Sequence, residues 1–133
     1  MRADEAVVQP LVTVGPRDFA RHAGGLMDDL GLTLLPVSDE RVFLGVVTRV
    51  DVLRGKEGVR SPYVEQVMTR PVLVAARDTP LTTLFDAMTR HEVLAVPVLD
   101  DGQVVGVVTR LSALQAISRT ALHAGTDRTP VHR

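Results

Sequence analysis

Gly-Val-Val-Thr-Arg occurs twice, at 45–49 and 106–110, and the offset of 61 between the copies constrains the fold more than any other feature of this chain. The same offset carries Pro36-Val37 onto Pro97-Val98, Met27 onto Met88, Asp39 onto Asp100, Leu53 onto Leu114 and Pro10 onto Pro71. A period held across so many landmarks marks a duplicated supersecondary unit. A unit of about 60 residues is mostly surface, so two should share an interface. We therefore expect a first unit over 1–55, a linker over 56–63, a second unit over 64–120 and a disordered tail over 121–133.

The second copy reads as strand, helix, strand, strand, helix. VLVA (72–75) is a short apolar run, and Thr79-Pro80 suits a helix start, with Thr79 as cap. Leu81, Leu84, Phe85 and Met88 recur at helical spacing up to about His91. Leu94 to Leu99 and 103–108 then flank Asp101-Gly102, a hairpin signal, and Thr109 opens a helix with Leu111, Leu114 and Ile117 as its stripe. The first copy follows the same plan: LVTV (11–14), a helix from near Asp18 with Phe19, Ala23, Leu26, Met27 and Leu30 inward, two strands, and a helix from Thr48. Gly24-Gly25 inside its first helix leaves two readings open, close helix packing or room for a ligand. The fold class is α/β (α+β): two tandem β-α-β-β-α units joined through their sheets with pseudo-twofold symmetry.

Composition removes several classes of function. Cysteine is absent, which excludes disulfides and thiolate chemistry. A net charge of −1 and four scattered aromatic residues offer nucleic acid neither a field nor a stacking platform. No apolar run is long enough to span a bilayer, and the charged opening is unlike a signal peptide, so the expected location is cytoplasmic. His22, His91, His123 and His132 share no metal-ligand spacing. With no nucleophile motif or acid-base pair, neither an enzyme nor a resident cofactor is expected.

Thr48 and Asp51 stand at the spacing of a capping box, in which each side chain accepts a backbone N–H from the other end of the first turn. The same turn offers a helix N-terminus to a phosphate and carboxylate acceptors to a sugar, so both readings stand. In the second copy Thr109 keeps the cap while Ser112 replaces the carboxylate.

Together these residues resemble a tandem pair of CBS domains, the modules named after cystathionine beta-synthase. The resemblance rests on V-M-T-x-P at Val67 to Pro71, Pro-Val before each hairpin and the G-h-h-T-x-x-D ending, and spans about residues 3–119. It implies a free-standing regulatory pair that binds an adenosyl ligand (AMP, ADP, ATP, S-adenosylmethionine or NAD) between the units, a homodimer and an effector protein. The implied first site is Val12, Thr13, Val14, Leu35, Pro36, Val37, Thr48, Arg49 and Asp51. A weaker second site is implied at Leu73, Val74, Ala75, Val96, Pro97, Val98, Thr109, Arg110 and Ser112, which Ser112→Asp should strengthen. The alternative is a ligand-independent dimerisation or protein-interaction module. Thr33-Leu34-Leu35 and Leu94-Ala95-Val96 stand where some adenylate-sensing relatives carry His-Arg, which argues against a tightly gripped triphosphate.

Overall fold

The computed structural model describes the backbone of residues 1–56 and 61–128, and side chains through Gly55 and over 61–120. Residues 57–60, half of the expected linker, therefore lie outside the described residues. The elements are α1 (Ala20–Leu30), β1 (Leu34–Asp39), β2 (Val42–Thr48), α2 (Arg49–Lys56), α3 (Val64–Val67), β3 (Ala75–Ala76), α4 (Leu81–His91), β4 (Ala95–Asp100), β5 (Gln103–Thr109) and α5 (Arg110–Arg128). A 3-10 turn at Ala3–Glu5 precedes them.

Each unit is built on an antiparallel hairpin, β1-β2 and β4-β5, whose register slips at one equivalent place, after Val37 and after Val98. The short β3 adds a parallel edge to β4, whereas its counterpart in the first unit is reduced to a bridge between Val14 and Val37. The strands expected at 11–14 and 72–75 are thus mostly extended chain. Val72 and Val74 are exposed, and only Ala75 of that run is buried.

α1 packs Ala23 and Met27 on one core and α4 packs Leu81, Leu84 and Met88 on the other, while Leu34, Val46, Ala95 and Val107 close the space between the sheets. Phe19 and Leu30, expected inward, are exposed; Phe19 instead stacks on Tyr63 at 5.3 Å between ring centroids. The apolar stripe expected for α5 is also out of phase. Leu111 and Leu114 are 63% and 49% exposed, and the buried face is Ala113 and Ala116, with Ile117 beside them. Small residues let this helix lie close to its sheet, so side-chain size misleads a periodicity read from leucines alone. α5 also runs past residue 120, so the tail expected from 121 begins in helix, and 129–133 lie outside the described residues.

Helix starts depart from expectation for local reasons. Pro80, rather than Thr79, is the N-cap of α4, and the Thr79 hydroxyl accepts the Ala76 N–H at 2.9 Å. Asp18 likewise accepts the Gly15 N–H at 2.8 Å and holds the turn before α1. The two hairpin tips share left-handed backbone: Glu40 and Arg41 in the first (φ 48° and 73°), Asp101 and Gly102 in the second (φ 53° and 77°). Only the second supplies the glycine that such a turn favours. Arg41→Gly should therefore stabilise the chain by about 1 kcal/mol, the scale of the left-handed penalty for a residue with a Cβ. A thermal melt that leaves the midpoint unchanged or lowers it would contradict this.

The largest departure is an exchange between the copies. The opening segment of the first repeat packs on the second unit: Ala3 N–H donates to Thr79 O and Val8 N–H to Val107 O, both at 2.8 Å. The opening segment of the second repeat returns the exchange, with Val64 N–H on Asp18 O at 2.7 Å and a two-way pair between Val46 and Thr69 at 2.9 Å. Ala3 and Ala6 belong to the core of the second unit, and Val64 to that of the first. The glycine of Gly-Val-Val-Thr-Arg is required at this crossing. A Cβ on Gly45 would stand 2.8 Å from Thr69 O, and one on Gly106 2.5 Å from Val7 Cγ1.

Candidate functional site

The step from β2 into α2 makes the capping box that the spacing predicts. The Asp51 carboxylate accepts the Thr48 N–H at 2.9 Å and the Asp51 N–H donates to Thr48 Oγ1 at 3.2 Å. Thr109 and Ser112 repeat this at 2.9 Å in both directions, and the Ser112 hydroxyl also donates to Thr109 O. The two copies differ in what surrounds the cap. Asp51 is 2% exposed, takes the Thr69 hydroxyl at 3.1 Å on Oδ2 and pairs through Oδ1 with Arg54. Burial of a carboxylate demands this degree of pairing.

A cleft of about 430 Å³ opens beside Thr48, between the units. Its walls are Thr33 and Leu34 at the start of β1, Val46 and Thr48 to Val50 at the β2-α2 step, the exchanged segment Thr69 to Val72, and Glu92 to Ala95 leading into β4. The space lies within the ~300–1,000 Å³ range of small-molecule sites. The pseudo-symmetric cleft is lined by Val8, Pro10, Leu11, Val12, Leu32, Leu34 and Val107, and its volume is about 10 Å³. Val8 stands there where Thr69 stands in the open cleft, and Leu32 where Val93 stands.

The residues of the first implied site do not all lie together on this open cleft. Because the opening segments are exchanged, Val12 lies on the nearly closed cleft, Thr13 is exposed, and Val14 is buried against Val37. Leu35, Pro36 and Val37 are buried in β1, and Val96, Pro97 and Val98 likewise in β4. Leu73 is packed partly against the second core. Of the first set, Thr48 and Arg49 face the open cleft, and Asp51 stands behind it on a second hollow of about 410 Å³ that shares Thr69.

Arg49 is held by the C-terminal end of α1, donating to Leu32 O and Met27 O at 3.1 Å and pairing with Asp28. Its counterpart Arg110 lies over the Phe85 ring, 5.2 Å from the centroid, and donates to Thr89 at 3.3 Å. Thr33, Thr69, Arg70 and Glu92 are the polar cleft residues absent from the site expected from sequence. The V-M-T-x-P motif contains two of them, but it served as a mark of the family resemblance and not as part of the site. Gly24 is explained by packing, since a Cβ there would sit 3.1 Å from Val52 Cγ1, while Gly25 faces open space on a groove of about 310 Å³. No group of side chains able to hold a metal ion, and no helix long and apolar enough to cross a membrane, occurs among the described residues.

Comparison with known proteins agrees with this architecture. The CBS domain family model matches residues 3–58 and again 64–119. An inosine-5'-monophosphate dehydrogenase of Korarchaeum cryptofilum is 34% identical over 110 residues, 81% of this chain but 22% of that protein. The chain spans about a fifth of the length of such curated relatives. Among solved structures, CBSX2 in complex with AMP superposes with a TM-score of 0.81 at 24% identity, covering 90% of this chain and 98% of that one. The CBS domain pair of protein MJ0100, in complex with 5'-methylthioadenosine and S-adenosyl-L-methionine, gives 0.76 at 24% identity over the same shares. At that identity the likeness is one of fold. Two matched repeats that fill nearly the whole chain, in the architecture of these pairs, place it in the CBS domain family as a tandem pair.

Proposed function

We propose that this chain is a regulatory module that binds one adenosyl ligand, in the cleft beside Thr48, and acts by binding without turnover. The observation that carries the reading is the asymmetry of two clefts that duplication made equivalent: one is open and bears the hydroxyls of Thr33, Thr48 and Thr69 with a guanidinium, the other is filled by Val8 and Leu32. Relatives of the same fold that hold AMP or S-adenosyl-L-methionine support this ligand class. In this reading the base lies among Leu34, Val46, Val93 and Ala95, and a ribose hydroxyl takes the place of the Thr69 or Arg54 contact on Asp51.

The test is a melting screen with AMP, ADP, ATP, S-adenosylmethionine and NAD. A ligand at 100 times its Kd should add about 2.7 kcal/mol, with one molecule bound per chain. Asp51→Asn should weaken it about tenfold, a loss of about 1.4 kcal/mol. No shift with any of the five overturns the reading. Ser112→Asp, expected from sequence to strengthen a second site, should leave the stoichiometry at one, because the second cleft lacks space as well as a carboxylate.

A ligand-independent interaction module is the second reading, favoured by the complete pairing of Asp51 by the protein itself. In both readings a second copy covers the offset-related Val50, Leu53, Leu111 and Leu114, all exposed on α2 and α5, and an effector protein reads the assembly. Sedimentation showing a monomer at micromolar concentration would remove the dimer.

A further inference from the structure

We propose that the open cleft selects an adenosyl ligand whose far end is a zwitterion, an adenosylated α-amino acid, over one whose far end is phosphate alone; this rests on the adenosyl reading above. The cleft has two charged poles. On one wall stand Arg70, in the exchanged segment, and the N-terminus of α2, the positive end of its dipole. Arg49 is spent on Asp28 and two carbonyls, and the charge of Asp51 is answered by Arg54, so Arg70 is the cation at this wall with no ion pair among the described residues. On another wall stands Glu92, at the C-cap of α4, where the helix dipole is negative. Glu92 also forms no ion pair among the described residues.

The other copy shows that neither charge is needed for folding. Gln9 occupies the position of Arg70 and Gly31 that of Glu92. Gly31 and Glu92 share left-handed backbone (φ 67° and 54°), which glycine adopts freely and a residue with a Cβ does not. The chain thus carries a conformationally disfavoured carboxylate on the open cleft, where its other copy has the residue that suits the backbone. A phosphate tail would use Arg70 but meet repulsion at Glu92. An α-carboxylate toward Arg70 and an α-ammonium toward Glu92 satisfy both.

Titration calorimetry on the full chain with S-adenosylhomocysteine, 5'-methylthioadenosine and AMP separates the cases, since the first two share a thioether nucleoside and differ in the amino-acid end. S-adenosylhomocysteine should bind about tenfold or more tighter than methylthioadenosine, and Arg70→Gln and Glu92→Gln should each weaken it about tenfold, the scale of a charge-assisted contact. Methylthioadenosine should change less than about twofold in either variant, and AMP should tighten in Glu92→Gln by loss of repulsion. If AMP binds best, or the variants shift all three ligands alike, the zwitterion proposal is wrong while the adenosyl site stands. If none of the three binds, the zwitterion proposal falls, and the five-ligand melting screen separately decides the adenosyl reading.

Discussion

Gly45→Ala and Gly106→Ala should each destabilise the chain by about 1–3 kcal/mol, the cost of forcing a methyl into a packed interior. The added Cβ at 45 would meet Thr69 O at 2.8 Å, and that carbonyl is already held by the Val46 N–H, so the exchanged segment must retreat and lose its two-way pairing. At 106 the clash is with Val7 Cγ1 at 2.5 Å and its Cβ at 2.8 Å, on a segment fixed by Val8 N–H on Val107 O. Because a Cβ moves only with its backbone, a rotamer change cannot relieve it. Gly25→Ala is the internal control. It lies in α1 with nothing within 4 Å of the new methyl, so it should stabilise by about 0.5–1 kcal/mol from helix propensity. Thermal melts of the three variants decide the matter, at about 2–8 °C per kcal/mol for domains of this size range. Three midpoints that move together, in either direction, would mean that the crossing does not hold the two units.

Asp51→Ala should cost about 1–3 kcal/mol, a lost cap together with part-buried donors left without their partner. The change orphans the Thr48 N–H and the Thr69 hydroxyl and leaves Arg54 without its carboxylate. Asp51→Asn keeps an acceptor for the cap and should cost less than half as much. Thr69→Val, which copies Val8, should be milder still, since it removes one hydroxyl and leaves the capping box intact. An Asp51→Ala variant within about 0.5 kcal/mol of the parent, the ordinary scatter of surface substitutions, would show that this network does not bear on stability. The size of the effect also governs how the ligand site is probed. An alanine at 51 confounds lost folding with lost binding, and asparagine is the informative replacement.

Ser112 shows why the two copies diverge without loss of fold. Its hydroxyl caps α5 as the carboxylate caps α2, so capping tolerates either residue. The neighbours changed with it: Val8 in place of Thr69, Gln9 in place of Arg70, and a cleft of about 10 Å³ in place of one of about 430 Å³. Polarity and space were kept on one side only, a division that a single position cannot show.

The sequence by itself determined the duplication, the two hairpins, the capping boxes, the buried face of α4 and the inward Ala23 and Met27 of α1, because these depend on turn chemistry and on apolar spacing within about a dozen residues. It misjudged α5, where alanines rather than leucines face the sheet, since burial there follows the closeness of packing. Only the tertiary structure decided which copy each opening segment packs on. Duplicated halves present equivalent surfaces, so the periodicity of 61 is the same whether Thr69 pairs with Val46 or Val8 does. The crossing is close-packed in both directions, at Gly45 and at Gly106. It gathers Thr48, Thr69, Arg70 and Glu92, from both repeats, around one cleft.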